Sequence, residues 1–355
     1  MAAVEFIPMA LLGIPSGEIA SRLGARRTML VCDLARMPLV AAVPLLHSLD
    51  ALSYGVLLAI AFGLGTFFPA HFSSQRAILP ELLGEDSGEL TRGNVMLQAA
   101  NRLPLVIGPA IGGSLIALIG ASNVLIIDAC SYAVSASLLA FGVPREANAP
   151  VPEPEHGGVW AGAAHMFGDP VLRPMAAAFA TQELAMQGLL LSLPILAFTE
   201  YGERAGIAGL LLAAWGLGAL AGTIPALRVA HRPPIRVIRA SILIQALPLW
   251  LMALQLPALA LTVPLAISGL ANPLANAPAN TLVTLRTPVA LRAKALLAFL
   301  TACMTAGGVG LIVTGPAAQA FGVRTVLLCV AALATLCGVG FWLVTRRAAG
   351  VAAAR

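Results

Sequence analysis

GEIASRLGARR (Gly17–Arg27) is the stretch that decides the fold of this chain. It joins two apolar segments, residues 4–20 and 28–46, and its glycines are typical of a turn. Only 10% of the chain is charged, yet three arginines fall within six residues here: Arg22, Arg26 and Arg27. A basic cluster between two hydrophobic runs is typical of a cytoplasmic loop between membrane helices. The stretch therefore predicts a membrane protein with this loop inside the cell.

The composition of the whole chain indicates an all-α polytopic membrane protein. Of the 355 residues, 59% are hydrophobic, and the mean hydropathy is +0.90. Soluble domains are closer to half apolar and a quarter charged. Several charge-free runs reach the roughly 20 residues that are needed to cross a bilayer. We predict eleven spans, at residues 3–20, 28–47, 51–70, 95–118, 123–142, 174–198, 205–227, 237–255, 258–277, 295–317 and 324–345.

The distribution of basic residues predicts the orientation in the membrane. With loop 17–27 in the cytoplasm, alternation of the spans places these segments there too: 71–94, 143–173, 228–236, 278–294 and the tail from 346. Of the 21 Lys and Arg residues, only Arg204 and Arg324 then lie outside, in agreement with the positive-inside rule. Frequent alanine, glycine and proline and a single lysine, Lys294, indicate a bacterial gene, and hence the bacterial cytoplasmic (inner) membrane.

Other function classes lack their motifs in this chain. The net charge of +5 is spread over short loops rather than gathered in a patch, which argues against a nucleic-acid partner. The five cysteines lie in apolar segments without paired spacing, so neither a disulfide nor a metal site is predicted. No HExxH or GxxxxGK[ST] motif occurs, so we expect neither an enzyme nor an ATP-driven machine, and no cofactor.

Matching motifs recur in the two halves of the chain in the same order. GEIASRLGARR at 17–27 corresponds to GTIPALRVAHR at 222–232, and PAHFSSQR at 69–76 to PANTLVTLR at 278–286. Gly-Pro pairs at 108–109 and 315–316 continue the series with an offset of 207, close to the 205 of the leading glycines. Such a repeat predicts a duplicated helix bundle, the plan of many secondary transporters.

These motifs resemble those of the major facilitator superfamily. The loop is similar to the family's motif A, with Ser21 where the family usually has Asp, and its matching residues are Gly17, Arg22, Gly24, Arg26 and Arg27. GPAIGG resembles the Gly-Pro signature of the fifth helix in antiporters, where Gly108, Pro109, Gly112 and Gly113 would form a helix-packing motif. FFPAHFSSQRAILPEL and VLIIDACSYAVSA look most like the bacterial branch of enterobactin and macrolide exporters.

The resemblance implies two pseudo-symmetric helix bundles of six helices each. Eleven of the twelve helices are present, and motif A follows one helix instead of two. We therefore expect the first helix to be missing, through truncation or a misplaced start codon, with a natural eleven-helix form as the alternative. The predicted parts are an N-terminal bundle at 1–142, a cytoplasmic linker at 143–173, a C-terminal bundle at 174–345 and a tail at 346–355. Residues 159–174 are expected to contain a short interfacial helix.

Ionisable and amide side chains within the spans are the candidate substrate or proton pathway. Ionisable groups in a bilayer are costly, so Glu183, flanked by Gln182 and one turn before Gln187, is the first candidate, against an interfacial or packing role. Arg102, one turn after Gln98, is predicted either to bind an anionic group or to set the pKa of a neighbouring carboxylate, and the alternative is a position at the inner interface.

Asparagines and a charged pair complete the predicted set. Asn272, Asn276 and Asn280 share a helix face that either lines a cavity or bonds to a neighbouring helix, and Pro273 and Pro278 are expected to interrupt that helix. Asp33 and Arg36 lie three residues apart, which favours a gating ion pair over contact with substrate, and motif A is expected to act as a latch. In that latch Arg22 needs an acidic partner, Glu18 or Asp33.

The sequence therefore predicts a proton-coupled exporter of a small lipophilic or amphipathic compound that works by alternating access as a monomer in the lipid bilayer. The drug, macrolide or siderophore-like substrate is not determined by these residues. The alternatives are a facilitator or importer of a small nutrient, a non-transporting scaffold or sensor, and a degenerate fragment of such a transporter.

Overall fold

In the computed structural model of the protein, residues 23–144, 160–202 and 205–353 are described. Within these ranges the chain is built from helices, with no strand. In chain order they are α1 (Ala25–Ser48), α2 (Tyr54–Ala77), α3 (Leu79–Leu83), α4 (Ser87–Ile119), α5 (Ala121–Gly142), α6 (Ala161–Gly168), α7 (Leu172–Glu200), α8 (Ala205–Ala221), α9 (Thr223–Arg228), α10 (Pro234–Ala246), α11 (Ala258–Arg286), α12 (Arg292–Phe321) and α13 (Val323–Ala353).

The helices confirm the all-α membrane prediction. Nine stretches in the described ranges are long and apolar enough to cross a membrane, and α4 adds a further helix of 33 residues. Each predicted span from 28–47 onward coincides with a helix, whereas the predicted span 3–20 lies outside the described residues. The break between the predicted spans 237–255 and 258–277 is also present, because a 3-10 helix ends at Ala253 and α11 begins at Ala258. The predicted short helix before residue 174 is α6.

Two predicted features of the helices were wrong. Helix α4 begins at Ser87 rather than at 95, because polar residues extend it beyond the apolar part. Helix α11 runs without a break to Arg286 although it contains Pro264, Pro273 and Pro278, so these prolines do not interrupt it. Membrane helices tolerate proline when neighbouring groups satisfy the backbone.

The described residues form two compact units. One contains residues 23–84, 107–144, 160–165 and 287–301. In this unit Gly162 of α6 lies directly on the backbone of α12, because a Cβ at Gly162 would be 2.4 Å from the carbonyl carbon of Lys294. Helix α6, in the predicted linker, is thus packed against the start of α12.

The other unit contains residues 85–106, 166–286 and 302–353. Its core contains fully buried leucines and one methionine from several helices: Leu189, Leu193, Leu196, Leu211, Leu249, Met252, Leu261 and Leu265. This core holds α7, α8, α11 and α13 in place and so positions the polar side chains described below.

Glycines allow α8 and α11 to cross at close range. A Cβ at Gly218 would be 2.2 Å from the carbonyl oxygen of Ala266, and one at Gly222 would be 2.1 Å from that of Leu270. From the opposite side, a Cβ at Gly269 would be 2.1 Å from the carbonyl oxygen of Trp215. Small residues spaced four apart are a common basis of helix association in membranes. The crossing fixes Trp215 beside the polar face of α11.

Candidate functional site

Glu183 and Gln187 form a hydrogen-bonded pair on α7. Gln187 Nε2 donates to Glu183 Oε1 at 2.8 Å, and both side chains are partly buried. Gly307 of α12 lies opposite, since a Cβ there would be 3.1 Å from Gln187 Cγ and 3.2 Å from Glu183 Cγ. A glycine therefore leaves room for the carboxylate and the amide between the two helices.

Arg102 connects α4 to two other helices of the same unit. Its Nη2 donates to Asn272 Oδ1 at 2.5 Å, and its guanidinium carbon lies 5.2 Å from the ring centre of Trp215, within the range of a cation–π contact. The charges of Arg102 and Glu183 also interact. The structure thus brings together Glu183, Gln187, Arg102 and Asn272 from the predicted set, and we call these four with Trp215 the polar cluster.

The three asparagines of α11 share one face, as predicted. Asn276 Nδ2 donates to the backbone oxygen of Asn272 at 3.1 Å and lies 3.2 Å from its Oδ1, and Asn280 Nδ2 donates to the backbone oxygen of Asn276 at 2.9 Å. Asn272 therefore accepts hydrogen bonds from its own helix and from Arg102 at once. Its side-chain oxygen fixes the position of the guanidinium group.

Polar contacts continue between α4 and α11 beyond the polar cluster. Thr281 Oγ1 lies 3.2 Å from Thr91 Oγ1 and accepts from Asn94 Nδ2 at 3.2 Å. Thr91, Asn94 and Thr281 are buried. With Gln98 and Arg102, these α4 residues recur every three or four positions, so one polar stripe faces α11.

Two glutamines of the predicted set are buried with free hydrogen-bonding capacity. Neither amide atom of Gln182 has a hydrogen-bond partner among the described residues, and the same holds for Gln98 Oε1. A buried amide without a partner costs about 1–3 kcal/mol. Both side chains therefore keep unused hydrogen-bonding groups in the interior, although they are not bonded to the polar cluster.

The gating motif is partly described. Gly17, Glu18 and Arg22 lie outside the described residues. Gly24 precedes α1 with φ of 81°, in the left-handed region that favours glycine. Arg26 is buried and donates to the backbone oxygens of Val143 at 3.0 Å and Ala140 at 2.6 Å.

Arg26 thereby satisfies carbonyl groups at the carboxyl end of α5, where cations are favourable. Arg26, a residue of motif A, thus joins the start of α1 to the end of α5. Its neighbour Arg27 is exposed.

The structure gives Asp33 partners that the sequence did not indicate. Ser135 Oγ donates to Asp33 Oδ2 at 2.6 Å, and His71 Nε2 lies 3.2 Å from Asp33 Oδ1. Arg36 is also buried, and its charge acts on Asp33. Sequence spacing favoured Arg36 because it considers one helix only, whereas His71 and Ser135 come from α2 and α5.

The helix-packing motif shows no close approach where its glycines are described. No described atom lies within 4 Å of a Cβ built at Gly108 or at Gly112. The side-chain surroundings of Pro109 and Gly113 lie outside the described part. Close glycine contacts occur instead at Gly218 and Gly222, for which the GxxxG spacing was the available signal.

An ion pair joins two helix ends outside the spans. Arg286, the last residue of α11, donates through Nη2 to Asp169 Oδ2 at 2.9 Å, and the backbone N–H groups of Val171 and Leu172 donate to Asp169 Oδ1. Burial raises the pKa of the Asp169 carboxyl, but these hydrogen bonds outweigh burial and hold the pKa below its usual range.

One group of side chains has the proximity that a metal ion requires. Potential ligand atoms of Asp86, Glu89 and His231 all lie within 4.8 Å of one another. Two of them already have partners, since Asp86 Oδ2 accepts from the backbone N–H of Glu89 at 2.9 Å and Glu89 pairs with Arg92 at 3.1 Å. The group is largely exposed and is separate from the polar cluster.

Chemically, the polar cluster places one carboxylate and one cation among apolar helices. A carboxylate there can bind and release a proton, and its charge determines its attraction to Arg102. The aromatic ring of Trp215 and the amides of Gln187 and Asn272 add surfaces for an amphipathic ligand. These residues are suited to bind and release a small molecule rather than to transform one.

Comparisons with known proteins agree with this architecture. The multidrug efflux pump Tap of Mycolicibacterium fortuitum is 28% identical over 349 residues, covering 94% of this chain and 83% of that protein. Tap of Mycobacterium tuberculosis (strain ATCC 25618 / H37Rv) is 26% identical over 345 residues, covering 93% and 81%.

Solved structures share the fold at lower identity. A variant of the E. coli fucose:proton symporter FucP superposes with a TM-score of 0.80 at 16% identity, covering 97% of this chain and 90% of that one. A bacterial homologue of the iron transporter ferroportin, in an outward-facing state, gives 0.79 at 16% identity, covering 97% and 89%.

The family model of the Major Facilitator Superfamily matches residues 1–311. This match covers most of the chain and agrees with the apolar helices and with both sets of relatives. The chain is a multi-pass membrane protein and a transporter of small molecules, not an enzyme, and it belongs to the major facilitator superfamily.

Proposed function

We propose that this transporter exports small lipophilic or amphipathic compounds in exchange for protons, as a monomer in a bacterial cytoplasmic membrane. The observation that carries the proposal is Glu183, a partly buried carboxylate held by Gln187 and acted on by the charge of Arg102, in largely apolar helices. The similarity to the multidrug efflux pump Tap supports export of a drug-like substrate.

Protonation of Glu183 provides the coupling in this proposal. The proton removes the charge that attracts Arg102, so the interaction between the two side chains weakens. A proton or a substrate shifts a conformational equilibrium only through its different affinity for the two conformations. The proton and the substrate then compete for the polar cluster, so one must be released before the other binds.

Alternating access moves the two predicted bundles, 1–142 and 174–345, relative to each other. The contacts of Thr91 and Asn94 with Thr281 join α4 of the first predicted bundle to α11 of the second. The bond between Arg102 and Asn272 joins the same two helices. Water can replace such polar contacts at little cost, in contrast to packed apolar side chains. We propose that this polar stripe opens and closes during transport.

A cross-link tests the moving stripe. Asn94→Cys with Thr281→Cys places two thiols on facing positions, and oxidation to a disulfide is expected to stop transport, with recovery after reduction. The single variant Asn94→Cys, treated identically, is the control. Full transport by the cross-linked protein would show that α4 and α11 need not separate.

Drug uptake tests the proposed activity. Everted membrane vesicles that contain the full chain are expected to accumulate a fluorescent lipophilic cation when a pH gradient is imposed, and Glu183→Gln is expected to abolish this uptake. Glu89→Gln, which changes a half-exposed carboxylate outside the polar cluster, is the matched control. Glu183→Gln protein that transports without a pH gradient would favour the facilitator or importer instead.

A further inference from the structure

A second group of charges lies in the same unit and shares no residue with the polar cluster. Arg236 and Arg239 lie three residues apart on α10, and Arg346 is near the end of the membrane-length part of α13. The charges of Arg236 and Arg346 both act on Arg239. We call these three residues the basic cluster.

The basic cluster is built into the contact of α10 with α13. Arg239 Nε donates to Thr345 Oγ1 at 2.7 Å, and Thr345 is itself buried. The guanidinium carbon of Arg346 lies 5.0 Å from the ring centre of Trp342. Arg239 and Arg346 are therefore fixed by neighbours on α13, while Arg236 is exposed.

Neighbouring like charges repel unless an anion lies between them. In the described ranges, no carboxylate contacts any arginine of the basic cluster, and the charges that act on Arg239 are those of other arginines. The planar donors of a guanidinium group match the oxygens of a phosphate or a carboxylate. Because the described residues supply no carboxylate here, the arrangement favours an anionic ligand group such as a phosphate.

An exposed apolar strip leads from the basic cluster along α13. Val339 and Leu343 precede Arg346 by seven and three residues and so share its helix face, and they are 41% and 46% exposed. Tryptophan, here Trp342, is enriched where the hydrocarbon meets the headgroups. A ligand at the basic cluster thus meets charge at one end and apolar surface at the other.

We propose that the basic cluster binds the phosphate of an anionic phospholipid, whose acyl chain lies along Val339 and Leu343. Basic pockets between membrane helices on the cytoplasmic side are suited to acidic headgroups. The predicted orientation places residues 228–236 and the tail from 346 on that side. The site is a lipid site rather than a site for a soluble phosphate, because the apolar strip would contribute nothing to binding of a free ion.

Native mass spectrometry of the purified full chain tests the proposal. Phosphatidylglycerol is expected to remain bound more tightly than phosphatidylcholine with the same acyl chains. Each arginine near an acidic headgroup contributes about fivefold to affinity, so the combined change Arg236→Gln, Arg239→Gln and Arg346→Gln should weaken phosphatidylglycerol binding about a hundredfold.

Two variants control for charge and for folding. Arg173→Gln removes an exposed arginine at the start of α7, outside the basic cluster, and is expected to leave binding unchanged. Arg239→Lys with Arg346→Lys keeps the charges and should retain most of the binding.

Four results would overturn the proposal. The first is equal retention of the two lipids, and the second is unchanged phosphatidylglycerol binding after loss of the three arginines. The third is displacement of phosphatidylglycerol by millimolar inorganic phosphate, which would indicate a soluble anion as the ligand. A rival occupant of the basic cluster is the acidic segment that contains Glu146, Glu153 and Glu155. The fourth result is therefore a large gain in lipid affinity when these three residues are changed to Gln, which would indicate that this segment, rather than a lipid, normally occupies the basic cluster.

Discussion

Three glycines in α12 allow the packing around Glu183 to be tested with a single type of substitution. A Cβ at Gly310 would be 2.4 Å from the backbone oxygen of Leu184, whereas no described atom lies within 4 Å of a Cβ at Gly308. At Gly307 the Cβ would contact the side chains of Glu183 and Gln187. Changing each glycine to alanine therefore adds the same methyl group to three different surroundings.

The structure gives an expected order of stability. Alanine is favoured over glycine within a helix by about 0.5–1 kcal/mol, so Gly308→Ala should be neutral or slightly stabilising. Gly310→Ala forces α12 away from the backbone of α7, and such overpacking costs about 1–3 kcal/mol. Gly310→Ala should therefore unfold at a lower temperature than Gly308→Ala.

Gly307→Ala separates stability from transport. Its Cβ would be 3.1 Å from Gln187 Cγ and 3.2 Å from Glu183 Cγ, so these flexible side chains must move by a few tenths of an ångström. The shift weakens their hydrogen bond, which is worth about 0.5–1.5 kcal/mol and so corresponds to a change of about twofold to tenfold in transport rate. Stability should remain close to that of the wild type.

Thermal unfolding of the purified protein and drug uptake into everted vesicles measure the two effects. The reasoning would be refuted by Gly308→Ala being as destabilising as Gly310→Ala. It would also be refuted by equal transport rates for Gly307→Ala and Gly308→Ala at equal expression.

Two further predictions concern residues outside the polar cluster. Because the pKa of Asp169 is lowered in the folded protein, its stabilising effect is present above the ordinary aspartate pKa of about 4 and is lost as the pH falls through the folded-state value. Asp169→Asn should therefore destabilise the protein at pH 7 by about 1 kcal/mol at most, because its partner Arg286 is partly exposed. The unfolding temperatures of the variant and the wild type should become equal in acid. Gly24→Ala should lower the free energy of unfolding by about 1–2 kcal/mol because residue 24 has a positive φ. Gly55→Ala, within α2, should not lower it, and equal unfolding temperatures of the two variants would contradict this prediction.

The sequence predicted the parts of the fold that depend on one helix at a time. Apolar runs indicated the spans, and the i, i+4 spacing placed Glu183 beside Gln187, which the hydrogen bond between them confirms. Extension of α4 to Ser87 was missed because polar residues in a loop and at a helix end look alike in sequence. Continuation of α11 through Pro278 was missed because local propensity does not include support from neighbouring helices.

Contacts between helices were beyond sequence reasoning. Trp215 and Gly307 lie far from Glu183 in the chain, and no periodicity connects them to it. His71 and Ser135 reach Asp33 only because α1, α2 and α5 belong to one compact unit. The sequence therefore indicates which polar residues in the spans need partners, whereas the packing of the helices determines which residues those partners are.

The central claim is that Glu183 exchanges a proton for substrate, and proton release on drug binding measures it most directly. In weakly buffered solution, addition of a lipophilic cation to the purified full chain is expected to release protons from the wild type but not from Glu183→Gln. Binding of the drug to the wild type without proton release, or equal release from the variant, would contradict the account.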